Sequence, residues 1–143
     1  MIPIRPALAA LLLTAATPAL AASDAPEDPT AKTLDACLNS DRGTSTAGMT
    51  DCEDTAAKDY DRRLNKAYGA LVKALAAPAA EKLKLSQRAW LAFRDSERKT
   101  QSALFETLQG TMYVPMQADE VMALTRERAL RLESYLRVLA TGP

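Results

Sequence analysis

Apolar residues recur at intervals of three and four along most of this chain, which is the spacing of one face of an α-helix. The longest stripe starts near Ser45 or Thr46 and continues until Pro78 stops it. Its members are Met49, Cys52, Ala56, Tyr60, Leu64, Tyr68, Leu71 and Leu75. The pattern predicts a helix of about seven turns that ends near Ala77.

Three further helices are predicted on either side of this one. Their expected bounds are Thr30 or Thr33 to about Asn39, about Ala79 to Gln109, and about Met116 to Leu139. No strand-like alternation or hairpin dipeptide interrupts them. The predicted fold class is all-α, a small bundle of three long helices with a short N-terminal helix attached.

The beginning of the chain has the features of a secretion signal. A weakly basic start precedes an apolar core at residues 7–16 and the small-residue pattern Ala19-Leu20-Ala21. We therefore expect residues 1–21 to be a signal peptide, residues 22–32 a flexible linker and residues 33–140 one helical domain. The mature protein is expected to be periplasmic or secreted and soluble. We also expect no membrane anchor, because no lipid-acceptor cysteine follows the cleavage pattern.

Cys37 and Cys52 are the only cysteines. An exported chain meets an oxidising compartment, which favours a disulfide between them. The bond would fasten the short N-terminal helix to the rest and stabilise the fold by about 3 kcal/mol. A redox role is disfavoured, because the two residues do not form a CxxC motif.

Charge is balanced overall but divided along the chain. Residues 22–61 contain ten acidic and three basic residues, and residues 62–100 contain ten basic and three acidic residues. This division disfavours nucleic acid as a partner. The favoured interpretation is that the two segments pack together and neutralise each other. The alternative is that the acidic segment presents a face to a basic partner.

The residue types that usually carry catalysis are missing. The chain has no histidine, no glycine-rich phosphate loop and no nucleophile motif. The clustered acids Asp51, Glu53 and Asp54 sit near the start of a predicted helix, where the helix dipole favours negative charge. We therefore expect no enzyme activity, no metal site and no cofactor, and we favour a binding protein.

The third predicted helix has one face that is apolar at both ends and polar in the middle. Guanidinium and amide groups on such a face need partners from neighbouring helices. The predicted cross-helix polar layer consists of Asp61, Asn65, Tyr68, Gln87, Trp90, Arg94, Thr125 and Arg128. In the scaffold interpretation, which we favour, Asp61, Asn65 and carbonyl groups satisfy Arg94 and Arg128, and the network fixes helix register. In the site interpretation, part of the layer is open and binds a ligand or partner.

Four segments together resemble a known family: STAGMTDC, DRRLNKAY, QRAWLAFRD and LTRERALRL, in this order and spacing. They are similar to the LprI-type lysozyme inhibitors over about Cys37 to Leu132. The resemblance implies an exported helical protein that binds a lysozyme and blocks its activity. The alternative is a periplasmic structural or interaction protein that binds an envelope component without inhibiting a hydrolase.

The implied partner would be a basic protein with two carboxylates in a groove. A protruding loop would suit such a groove. The loop from Gly110 to Pro115, with Met112 and Tyr113, is the first candidate, and the disulfide-closed segment around Arg42 is the second.

The chain departs from the family where members often carry a second pair of cysteines. The corresponding positions here are Arg98 and Glu120. Because both cysteines are replaced together, we expect Arg98 and Glu120 to form an ion pair, which would contribute about 0–1 kcal/mol.

Overall fold

The computed structural model describes residues 27–142, so the predicted signal peptide and the first residues of the predicted linker lie outside it. The elements are helix α1 (Pro29–Leu38), a 3₁₀ turn (Asp41–Thr44) and helices α2 (Thr46–Ala74), α3 (Ala77–Glu106) and α4 (Tyr113–Ala140). The described residues contain no strand, so the predicted all-α bundle is confirmed.

Helices α2 and α4 run parallel and form the largest interface of the bundle. Arg63 of α2 bonds Glu133 of α4, and Leu71 lines the same pocket as Leu139. Helix α3 runs antiparallel to both. The core lies between α2 and α4 and contains Tyr60, Leu64, Leu71, Met122, Ala129 and Leu132.

This arrangement gives the bundle two different ends. The loop end contains the 3₁₀ turn, the beginning of α2 and the loop of residues 107–112 between α3 and α4. The hairpin end contains the turn of residues 75–76 between α2 and α3, together with the last turns of α4. The two loops predicted as inhibitory candidates therefore lie at the same end.

Helix α3 contacts the other two helices over only part of its length. Of its 30 residues, Ala80, Leu83, Gln87 and Gln101 are buried. The first three pack near the hairpin end, and Gln101 packs on α4. A groove therefore remains open between α2 and α3.

Helix α1 begins earlier than predicted. The Asp28 carboxylate accepts hydrogen bonds from the backbone N–H groups of Thr30 and Ala31 at 3.1 and 3.4 Å. Pro29 occupies the first helical position, where its missing N–H has no cost. The predicted end of the flexible linker at residue 32 is therefore wrong, because residues 29–32 are helical.

The predicted disulfide is confirmed, with a Cα–Cα distance of 5.9 Å between Cys37 and Cys52. It joins the end of α1 to the beginning of α2. Close backbone contact holds the 3₁₀ turn on the same surface, because a Cβ atom on Gly48 would lie 1.7 Å from the carbonyl oxygen of Arg42. Only glycine fits there.

The loop before α4 lies three residues earlier in the chain than predicted, at residues 107–112 instead of 110–115. Helix α3 ends at Glu106 and α4 begins at Tyr113. Pro115 is therefore inside the first turn of α4, where a proline is tolerated because its N–H would have no helical partner. Among residues 27–142, no helix carries an apolar stretch sufficient to cross a bilayer.

Candidate protein-binding site

The predicted polar layer does not form one network. Asn65 donates a 3.0 Å hydrogen bond to Asp61 one turn earlier on α2. The guanidinium of Arg94 donates to Asp95, the next residue on α3, at 3.0 and 2.8 Å. The scaffold interpretation is therefore wrong for Arg94, because a carboxylate on its own helix pairs with it and α2 does not.

Six residues of the predicted polar layer line an open groove between α2 and α3 with a volume of about 270 Å³. Asp61, Asn65 and Tyr68 contribute from α2. The residues from α3 include Gln87, Trp90 and Arg94. The Arg94 guanidinium lies 5.3 Å from the centre of the Trp90 ring. The structure therefore brings most of the predicted residues together, but around solvent rather than in the interior.

Arg128 makes the one link of the predicted layer that crosses between helices in the described chain. It donates to the Gln87 side-chain oxygen at 3.0 Å and to the Ser86 hydroxyl at 3.3 Å. Its guanidinium also lies 5.8 Å from the Trp90 ring centre. Thr125 is half-buried one turn earlier on α4. The link joins α3 to α4, whereas the predicted link to Asp61 and Asn65 of α2 is wrong.

A second polar cluster, which the sequence analysis missed, joins α1, α2 and α4. Arg63 donates to Asp28, to the Thr30 hydroxyl at 2.8 Å, and to both Glu133 oxygens at 2.8 and 2.7 Å. Tyr60 donates to the other Asp28 oxygen at 2.7 Å. We call Asp28, Thr30, Tyr60, Arg63 and Glu133 the α1 clamp. It fixes α1 over the core.

The ionisation of the clamp follows from its contacts. Burial alone would raise the pKa of Asp28, but hydrogen bonds from Tyr60 and Arg63 outweigh it and lower that pKa below its usual value. Burial and the hydrogen bond to Asp28 raise the pKa of Tyr60. The clamp therefore contains an ionised carboxylate between a neutral phenol and a cation at neutral pH.

Five aspartates of the acidic segment remain exposed without a paired cation. No Lys or Arg nitrogen between residues 27 and 142 lies within 4.0 Å of their carboxylates. They are Asp35, Asp41, Asp51, Asp54 and Asp61. The interpretation that the acidic and basic segments neutralise each other by pairing is therefore wrong for these five.

The loop end combines this negative charge with exposed apolar side chains. Met112 is 61% exposed in the loop before α4, whereas Tyr113 is half-buried as the first residue of that helix. Further exposed apolar residues in this loop and in the adjoining turns of α3 and α4 are Leu104, Leu108, Val114 and Met116. Arg42 is exposed on the 3₁₀ turn. Exposed apolar side chains and unpaired carboxylates at the same end of a bundle favour a protein-binding surface there.

The expected ion pair between Arg98 and Glu120 is wrong. Both side chains are exposed, and they do not approach within 4.0 Å of each other as an ion pair. Helices α3 and α4 instead meet nearby through the Gln101 side-chain amide, which donates to the Glu120 carbonyl oxygen at 3.5 Å. Exposed long side chains gain little from such a pair, so nothing holds these two together.

Glu53 is a buried carboxyl group near the loop end, and its Oε2 atom has no hydrogen-bond partner. Burial raises its pKa, nearby Asp119 raises it further, and Arg126 acts in the opposite direction. Because the folded-state pKa lies above the unfolded value of 4.5, its contribution to stability is fully present below pH 4.5 and is lost as pH rises through the folded-state pKa.

We therefore expect Glu53→Gln to raise the free energy of unfolding by about 1 kcal/mol at pH 8, because the variant buries no charge. At pH 4 the two proteins should differ much less. Urea unfolding at both pH values measures this difference. An equal difference at pH 4 and pH 8 would contradict the expected ionisation of Glu53.

Known proteins are similar to this chain both in sequence and in fold. The family model described as lysozyme inhibitor LprI matches residues 37–132. The crystal structure of an uncharacterized protein from Burkholderia thailandensis is similar, with 38% sequence identity and a TM-score of 0.76. That similarity covers 81% of this chain and 57% of the other, so this chain spans little more than half of that protein. The comparison with curated proteins gave no match.

Proposed function

Because the chain belongs to the lysozyme inhibitor LprI family, we propose that it is an exported protein that binds a lysozyme and blocks its activity. The family match over residues 37–132 is the observation that carries this proposal. It has the same bounds as the resemblance read from the sequence. The matched residues include all of α2 and α3 and most of α4.

We assign the contact to the loop end. The expected partner is strongly basic, and Asp41, Asp51 and Asp54 present unpaired negative charge there. Such charges raise the rate of association with a basic protein at low ionic strength. The charge supports the loop end over the groove between α2 and α3, where Lys84, Arg88 and Arg94 are among the lining residues.

The shape of the loop end also supports this assignment. A lysozyme binds its substrate in a cleft, so an inhibitor that obstructs the cleft needs a projecting group. Met112 projects from the loop before α4, and a flexible thioether side chain adapts to irregular apolar surfaces. Arg42, on the 3₁₀ turn at the same end of the bundle, supplies a cation that can meet a carboxylate in the cleft. The groove, by contrast, is concave.

The first test compares two pairs of substitutions that remove the same amount of charge. Asp51→Asn with Asp54→Asn changes the loop end. Asp61→Asn with Glu127→Gln changes two exposed residues in the middle of the bundle, one on α2 and one on α4. We expect the loop-end pair to weaken inhibition of lysozyme about tenfold at low salt, with a smaller effect at high salt. The control pair should inhibit like the unchanged protein. Lysis of a cell-wall suspension, followed by turbidity, provides the measurement.

Three results would count against this proposal. If the unchanged protein leaves lysis by every lysozyme unaffected, the proposed function is wrong. If the control pair loses inhibition and the loop-end pair keeps it, the contact lies in the groove instead. Inhibition that does not depend on salt would contradict the role given to the aspartates.

The groove favours a second candidate function, which is binding of an envelope component without inhibition of a hydrolase. Trp90, Tyr68 and Asn65 offer an aromatic ring, a hydroxyl and an amide to a ligand in one open site. This candidate predicts binding to isolated cell walls and no effect on their lysis. The same suspension therefore separates the two functions.

A further inference from the structure

An open apolar pocket of about 390 Å³ lies at the hairpin end of the bundle. Its volume falls in the range of about 300–1,000 Å³ that is usual for small-molecule sites. Leu71 and Leu83 contribute core side chains, and the partly buried Leu75 lies beside them. Tyr135, Val138 and Leu139 contribute from α4. Val138 is 65% exposed, so apolar surface at the pocket mouth faces solvent. An apolar group that filled the pocket would remove this surface from water.

The polar groups at the pocket edge are cationic or neutral. Lys82 and Ser86 line the edge, and none of the lining residues is acidic. Ser86 accepts a hydrogen bond from the Arg128 guanidinium at 3.3 Å, which places this second cation directly behind the edge. The pocket therefore combines an apolar interior with two positive charges at one side.

Arg128 lacks the partner that a half-buried guanidinium normally has. Its acceptors are the neutral side chains of Gln87 and Ser86, and no carboxylate within residues 27–142 lies within 4.0 Å of it. Burial lowers its pKa, while Tyr135 acts in the opposite direction. A desolvated cation of this kind is stabilised by an anion more than an exposed cation would be.

We propose that the hairpin-end pocket binds a fatty acid, with the acyl chain against the leucine side chains and the carboxylate beside Arg128 and Lys82. An apolar pocket beside two cations favours a ligand that has both an apolar chain and a negative charge. A neutral apolar molecule would leave the cations without a partner, and a small anion would leave the pocket empty. The site goes beyond the proposed inhibition of lysozyme. It lies at the opposite end of the bundle from the loop-end surface, so both sites can be occupied together.

Trp90 makes the binding directly measurable, because it is the only tryptophan and its ring centre lies 5.8 Å from the Arg128 guanidinium. A carboxylate that draws Arg128 toward the pocket changes the environment of the indole. We expect dodecanoate, below its micelle concentration, to cause a saturable change in tryptophan fluorescence. Each methylene removed from the ligand should weaken binding about fourfold. Dodecanol, which has the same tail and no charge, should bind more weakly.

Two matched variants test the location. Val138→Asp introduces a carboxylate at the pocket mouth and should weaken dodecanoate binding at least tenfold. Val114→Asp makes the same change at an exposed position of the loop end and should leave binding unchanged. Both positions are more than half exposed, so the fold should tolerate the substitutions. Lys82→Gln should weaken the binding of dodecanoate and leave that of dodecanol unchanged.

Several outcomes would overturn the proposal. Fluorescence that does not respond to dodecanoate, or a response that Val138→Asp leaves intact, excludes this fatty-acid site. A response to anionic phospholipid vesicles alone would make the pocket a membrane contact. A dimer that Val138→Asp dissociates, without dodecanoate binding, would make it an interface between two copies. Lysozyme inhibition should survive Val138→Asp in every case, so the two proposals fail independently.

Discussion

Replacing both cysteines, as Cys37→Ala with Cys52→Ala, is expected to lower the free energy of unfolding by about 3 kcal/mol. The bond closes a segment with a sequence separation of 15 and restricts the unfolded chain accordingly. It also fastens the end of α1 to the beginning of α2, beside the 3₁₀ turn. Alanine is the appropriate replacement, because Cys52 is buried and a serine there would add an unpaired hydroxyl.

Urea unfolding followed by circular dichroism measures this loss. The unchanged protein in the presence of a reductant is the control and should unfold at nearly the same urea concentration as the double variant. A loss below about 1 kcal/mol would mean that packing alone holds α1 in place. In that case the position of the 3₁₀ turn and of Arg42 would not depend on the disulfide.

Replacing Arg63 is expected to have an effect of similar size. Arg63→Met keeps much of the aliphatic stem but removes the cation between Asp28 and Glu133, whose side chains are 19% and 25% exposed. Leaving two partly buried carboxylates unpaired should cost about 3 kcal/mol, the lower part of the range for broken buried pairs. Residues 29–38 should also exchange their amide hydrogens faster, because Asp28 caps α1.

The neighbouring arginine offers a matched control. Arg62 has a side chain that is 70% exposed and pairs with Asp59 one turn earlier on the same helix. Arg62→Met should therefore cost less than about 0.5 kcal/mol. If the two variants unfold at the same urea concentration, the α1 clamp does not stabilise the fold as its contacts imply.

The sequence predicted the helices well because their periodicity is a local property. The stripe from Met49 to Leu75 identifies α2 and five of its buried residues, which are Cys52, Ala56, Tyr60, Leu64 and Leu71. The disulfide could also be predicted, since a chain with only two cysteines offers one pairing. The beginning of α1 was harder to predict, because its capping residue, Asp28, lies in a segment of linker-like composition.

Polar partners could not be predicted in the same way. Periodicity shows which face of a helix a residue occupies but not which side chain it meets across an interface. Arg63 reaches acceptors 35 and 70 positions away in sequence, and nothing local indicates either. Arg94 shows the opposite error, because its partner is the next residue on the chain and the predicted partners were on another helix.

The candidate surface was predicted only in its parts. The sequence indicated the acidic segment, the loop before α4 and the segment around Arg42 as separate features. They lie at one end of the bundle because α2 and α4 run parallel. The short turn between α2 and α3 makes these two helices antiparallel, so the end of α3 lies at the same end of the bundle as the beginning of α2. The common location of these features could therefore have been predicted from the sequence.

Hydrogen–deuterium exchange with and without the lysozyme that the protein inhibits most strongly tests the proposed function most directly. The proposal predicts slower exchange at residues 41–54 and 107–116 in the complex, and unchanged exchange at residues 71–86 and 135–140. Protection confined to the hairpin end or to the groove would contradict the assigned contact. The absence of any protection with every lysozyme would contradict the proposed inhibition itself.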